Sequence, residues 1–82
     1  MIKIVTIEDE IPARKKLKRL LEEQRDTTEV LAEIDTIETA VEFLKKTKVD
    51  LIFSDIELKD GNAFNIYNQT LVSCPIIFYN NL

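Results

Sequence analysis

Histidine is absent from this sequence of 82 residues, tryptophan is absent too, and cysteine and glycine each occur once. Without histidine, neither a Cys/His zinc site nor a Ser-His or Cys-His nucleophilic pair can be assembled within the chain. The lone Cys74 has no partner for an internal disulfide. One glycine and two prolines in a chain that is 45% hydrophobic and 32% charged exclude collagen-like and low-complexity structure and describe one globular domain, residues 1–82. Long apolar runs are missing as well. The longest, Pro75 to Tyr79, falls far short of the ~20 residues that cross a bilayer. The start Met1-Ile2-Lys3 has no secretory pattern, so no membrane span and a cytoplasmic location are expected. Charge of one sign is also lacking as a nucleic-acid footprint: the net charge is −4. The basic run Arg14, Lys15, Lys16, Lys18 and Arg19 sits in a helical pattern, where such residues mark a solvated face.

The residues that remain alternate between two periodicities. Ile2 to Ile7 is a β-branched run of the kind buried on both faces of a sheet. Pro12 suits a helix start, and Ala13, Leu17, Leu20 and Leu21 form an apolar stripe running to about Gln24. Val30 to Ile34 reads as a second strand. Asp35 followed by Glu38 resembles a capping box, and Ile37, Ala40, Val41 and Leu44 repeat at helical spacing to about Lys46. Leu51-Ile52-Phe53 is a third strand that delivers Ser54 and Asp55 at its end. Lys59-Asp60-Gly61-Asn62 is turn chemistry, with Gly61 free to adopt positive φ. Phe64, Ile66, Tyr67 and Leu71 suggest a short third helix, and Pro75 opens a fourth strand, Ile76-Ile77-Phe78. This alternation predicts an α/β fold with right-handed crossovers and a parallel sheet.

In such sheets ligands bind beyond the carboxyl ends of the strands, where the winding reverses. Glu8, Asp9 and Glu10 follow the first strand and Asp55 ends the third. In the flavodoxin-like strand order 2-1-3-4 those two strands are neighbours, so Glu8, Asp9 and Asp55 share one crevice. Acidic residues after strands also serve simply as favourable charges at helix N-termini, and that reading stays open on order and composition alone. Convergent carboxylates repel unless a cation joins them, and Mg²⁺ suits oxygen ligands beside a phosphate. A carboxylate in that setting can attack phosphorus and form an acyl phosphate.

The segments Ile4 to Arg14 and Leu51 to Phe64, with Cys74-Pro75-Ile76-Ile77-Phe78, resemble the receiver domain of two-component response regulators, most nearly the LytTR (AlgR/LytR) type. The resemblance implies the CheY-like fold and a phosphoacceptor module rather than an enzyme. It implies Asp55 as phosphoacceptor, Asp9 as a direct Mg²⁺ ligand, Glu8 as the second acidic-pocket residue, and Glu57 as a ligand through its backbone carbonyl. It also implies a sensor histidine kinase as partner, with nucleic acid contacted only through a C-terminal domain missing from these residues.

The departures from the family pattern shape further expectations. Receivers continue past the fourth strand into another helix, a fifth strand bearing a lysine, and a last helix, whereas this sequence stops at Leu82; it reads as a truncated, incomplete receiver. Asn80 stands where the family places a Ser or Thr hydroxyl, and Lys59 stands where a proline is frequent. Tyr79 is compatible with core or edge. The expected consequences are impaired phosphorylation and an exposed fourth strand through which copies self-associate as dimers. The alternative reading is a catalytically silent fragment that acts only as a dimerisation or interaction module. A phosphatase of the haloacid-dehalogenase type would need a second Asp two residues after the nucleophile, where this sequence has Glu57.

Overall fold

Four parallel strands form the spine of the computed structural model, which describes residues 1–80. Asn81 and Leu82, part of the ending that departs from the family pattern, lie outside the described residues. The elements in chain order are β1 (Ile2–Ile7), α1 (Ile11–Glu22), β2 (Thr28–Ile34), α2 (Ile37–Lys46), β3 (Leu51–Asp55), β4 (Glu57–Leu58), β5 (Gly61–Asn62), α3 (Phe64–Tyr67) and β6 (Ile76–Tyr79). The sheet runs β2-β1-β3-β6, which is the expected 2-1-3-4 order, since β4 and β5 form a separate two-stranded hairpin within the anticipated turn.

Alternation along the strands sends side chains to two opposite layers. Val5, Ile7 and Ile52 meet Ala40 and Val41 of α2 and Ile66 of α3 in the larger core. Ile4 meets Leu17 and Leu21 of α1 on the other face, flanked by the partly buried Leu51, Phe53 and Tyr79. Helices therefore cover both faces, as a parallel sheet requires. Coverage is uneven: Ile77, which has the same parity as Tyr79 and faces the α1 side, remains 45% exposed. β2 and β6 are the edges of the sheet among the described residues.

Several local expectations shift. Leu20, placed on the apolar stripe of α1, is 48% exposed, because Leu17 and Leu21 alone fill the contact with the sheet. α1 ends at Glu22, and Gln24 instead accepts turn hydrogen bonds from the backbone and hydroxyl groups of Thr27 and Thr28. α3 is a single turn, and Leu71 lies beyond it, fully exposed. The capping box at Asp35 and Glu38 does not form. Thr36 is the N-cap of α2, its hydroxyl oxygen accepting from the Thr39 N–H at 3.1 Å. The Ile37 N–H, which Thr36 leaves free, donates to the Asp60 carboxylate at 2.9 Å.

Candidate functional site

Strand register builds the site. Ile7 of β1 lies opposite Ser54 of β3, so the next residues, Glu8 and Asp55, leave the sheet side by side at its carboxyl edge. Glu8 continues the ladder on the other side, its N–H donating to the Ile34 carbonyl at 2.8 Å. One carboxylate oxygen from each of Glu8, Asp9 and Asp55 lies within 4.8 Å of the other two. Glu8 is 2% and Asp9 9% exposed, while Asp55 is half-buried. A cleft of about 260 Å³ opens there, lined by Glu8 and Asp55 together with Pro12, Glu57 and Asn80. Larger hollows lie between α1 and β2, about 420 Å³, and between α2 and α3, about 460 Å³. Neither gathers a comparable carboxylate cluster among the described residues.

Backbone donors hold each carboxylate. Asp55 Oδ1 accepts from the Ile56 N–H at 2.7 Å and the Glu57 N–H at 3.4 Å. Glu8 Oε2 accepts from the Glu10 N–H at 3.0 Å. Asp9 Oδ2 accepts from the Lys59 N–H, which comes from the loop of the β4–β5 hairpin. These charge-assisted bonds fix orientation without neutralising the charges.

The electrostatics reflect that crowding. Burial, with the nearby charges of Asp55 and Asp9, pushes the Glu8 carboxyl above its ordinary range; the Glu10 N–H and the Tyr79 hydroxyl pull the other way. Burial and the facing Glu8 carboxylate push the Tyr79 phenol strongly upward, so it stays protonated. Its hydroxyl is buried near Glu8 without a well-formed hydrogen bond among the described residues. This donor set fits a hard divalent cation. It is all oxygen, it is anionic, and its members are close enough to share one ion and too close to coexist comfortably without one.

Sequence reasoning brought Glu8, Asp9 and Asp55 to one crevice, and the structure gathers them there. Glu57 lines the same cleft. The Lys59 side chain is exposed, as a solvated lysine would be, while its backbone N–H serves Asp9. That role left no trace in the residue type, because every residue except proline carries the same donor. Tyr79 beside Glu8, Asp60 on α2, and Arg14, whose Nη2 donates to the Asp9 carbonyl at 3.4 Å, were likewise not anticipated. A tyrosine at a strand end and an arginine one turn into a helix are the only signals, and both are common in cores and on surfaces.

Comparisons with known proteins agree with this arrangement. Residues 4–79 match the response regulator receiver domain family. The sensory transduction protein LytT of Bacillus anthracis is 44% identical over 68 residues, covering 83% of this chain and 27% of that protein. LytR of Streptococcus agalactiae is 36% identical over 82 residues, covering 95% of this chain and 33% of that protein. The chain thus spans a third or less of the length of these curated relatives. Among solved structures, the MaeR response regulator bound to beryllium trifluoride superposes with a TM-score of 0.79 at 25% identity, covering 100% of this chain and 69% of that one.

Proposed function

From the premise that this chain belongs to the response regulator receiver family, homologous to the LytTR-type LytT and LytR proteins, we propose that Asp55 accepts a phosphoryl group from a sensor histidine kinase. Accepting a phosphoryl group from a partner kinase is the general function of such receivers. The observation that supports Asp55 as the acceptor is its half-buried carboxylate, anchored by the Ile56 N–H at the floor of an open cleft beside two other carboxylates.

In this reading a carboxylate oxygen of Asp55 attacks the phosphorus of a phosphohistidine. The P–N bond breaks as the O–P bond forms, and the imidazole leaves with its electron pair, giving an acyl phosphate. The chain's contribution is position. Ile56 and Glu57 N–H groups hold Asp55 Oδ1, the Lys59 N–H holds Asp9, and the cleft admits a group the size of a phosphoryl. Glu8, Asp9, Asp55 and the Glu57 backbone carbonyl would hold Mg²⁺, which when bound supplies the positive charge that offsets the phosphoryl oxygens. Asn80 stands at the cleft with an amide where a hydroxyl is the family's usual donor, so transfer is slower than in a receiver with Ser or Thr there.

Exposure of the chain to acetyl phosphate or beryllofluoride with Mg²⁺, read by intact mass and fluorine NMR, tests the reading. Modification that requires Mg²⁺ and disappears in Asp55→Asn is expected, with Asn80→Ser reacting faster than the wild type. Modification surviving in Asp55→Asn overturns the assignment. We propose further that the 82-residue chain self-associates through β6 and acts in the cytoplasm. Any DNA binding belongs to a separate domain of a longer regulator. The exposed Ile77 on an edge strand favours the second reading, an interaction module, to the extent that Asp55 fails to react.

A further inference from the structure

The three carboxylates of the site differ in where their restraint originates. Asp55 is held by the N–H groups of the two residues that follow it, and Glu8 by an N–H two residues away. Those donors lie one or two residues along the chain from the carboxylates they serve. Asp9 instead depends on Lys59, 50 residues distant, at the tip of the β4–β5 hairpin. Its orientation is therefore only as well defined as the position of that hairpin.

The hairpin is small, with two residues in each strand and Lys59-Asp60 as its loop. Two-stranded ribbons of this size do not hold themselves in place. At its base the Ala63 N–H donates to the Ile56 carbonyl at 2.8 Å, and Leu58 is buried in the core. At its tip the tether is Asp60, whose Oδ2 accepts from the Ile37 N–H at 2.9 Å in the first turn of α2. A carboxylate is favoured there by the free N–H groups and the positive end of the helix. Thr36 already serves the Thr39 N–H of that turn, so Asp60 takes a donor that the local cap leaves over. Adjacent residues of one loop thus face two ways: the Asp60 side chain grips α2 and the Lys59 backbone grips Asp9.

We propose that Asp60 is a positioning residue for the acidic site, fixing the hairpin on α2 so that the Lys59 N–H holds the Asp9 carboxylate in its ligating orientation. The metal-binding part of this inference rests on the proposed function. The geometric part does not, because the Lys59 amide reports it without any ion.

The experiment compares wild type, Asp60→Ala, Asp60→Asn and Thr36→Ala by amide hydrogen exchange at Lys59 in metal-free protein and by Mg²⁺ titration followed through amide shifts. Asp60→Ala is expected to lose protection at Lys59 and to weaken Mg²⁺ binding about tenfold, the scale seen when a partner behind a metal ligand is removed. Asp60→Asn keeps an acceptor oxygen and is expected to retain both. Thr36→Ala weakens the same helix end without touching the hairpin, and its Lys59 protection and Mg²⁺ affinity are expected to stay at wild-type values. Undiminished Lys59 protection in Asp60→Ala, or equal losses in Thr36→Ala, overturns the proposal. A wild type with a protected Lys59 amide and no response to Mg²⁺ overturns the metal reading of the site instead; the tether still stands or falls on Lys59 exchange in Asp60→Ala.

Discussion

Glu8 illustrates how a single side chain carries opposing demands. It is buried beside two other carboxylates, and burial above all raises its pKa from the ordinary value of 4.5. The folded state therefore binds its proton more tightly than the unfolded state. The sign follows: Glu8's contribution to stability is greatest below the unfolded pKa and is lost as pH rises through the folded pKa. Glu8→Gln preserves an acceptor for the Glu10 N–H and removes the charge. In metal-free protein at neutral pH it is expected to melt above the wild type, with the gap closing as pH falls toward 4.5. Mg²⁺ should raise the wild-type Tm more than that of the variant. Thermal melts across pH, with and without Mg²⁺, check both statements. Gly61 is a second residue with one solution, since its φ of +140° disfavours any side chain and an added Cβ would lie 3.1 Å from Ile37 Cδ1. Gly61→Ala is expected to destabilise the fold by about 1–3 kcal/mol in urea unfolding. That glycine's freedom was legible in the turn sequence; the contact with Ile37 was not, because those residues meet only through the packing of the hairpin on α2.

At the scale of elements, α3 shows how far apolar periodicity can be trusted in a short segment. Ile66 and Leu71 both looked like members of one short helix. Ile66 is fully buried, whereas Leu71 is fully exposed after a helix of only four residues. Ile66→Ala is expected to cost about 2–5 kcal/mol, as core truncations do. Leu71→Ser, in contrast, should stay within about 0.5 kcal/mol of the wild type. Denaturant melts of the two variants separate these outcomes, and a large loss in Leu71→Ser would mean that the segment packs elsewhere. The start of α2 carries the same lesson. The sequence pattern pointed to Asp35 as the cap, whereas Thr36, one residue later, takes that place because its backbone is extended with the hydroxyl in reach of Thr39. The second cap, Asp60, comes from 23 residues away and no local pattern announces it.

The molecule as a whole has one well-filled layer and one thinly covered one. Among the described residues the α2 and α3 side assembles ten buried residues, while the α1 side has Ile4, Leu17 and Leu21, with Leu51, Phe53 and Tyr79 partly open beside them. With Ile77 exposed on the edge strand of that thin layer, light scattering of the 82-residue chain at micromolar concentration is expected to show dimers or larger species. Ile77→Lys places a charge on that edge and should shift the distribution toward monomer. A clean wild-type monomer would remove the case for association through β6.

Strand and helix periodicity, and with them the α/β class with a parallel sheet, are properties of the sequence itself, because burial on one or two faces imposes its spacing on the residues of each element. The order that brings β1 beside β3 was expected from the family resemblance and is what the structure has. Given that order, the convergence of Glu8, Asp9 and Asp55 follows, since Asp55 ends β3 and Glu8 and Asp9 are the two residues after β1. What holds Asp9, unlike the locally anchored Glu8 and Asp55, was decided only by tertiary structure. Asp9 is restrained by a backbone N–H at Lys59, and that hairpin by the carboxylate of Asp60 on the first turn of α2. Main-chain donors are chemically alike at every non-proline residue, so which of them reaches a given carboxylate depends on how distant segments dock, and residue identity leaves no mark of it.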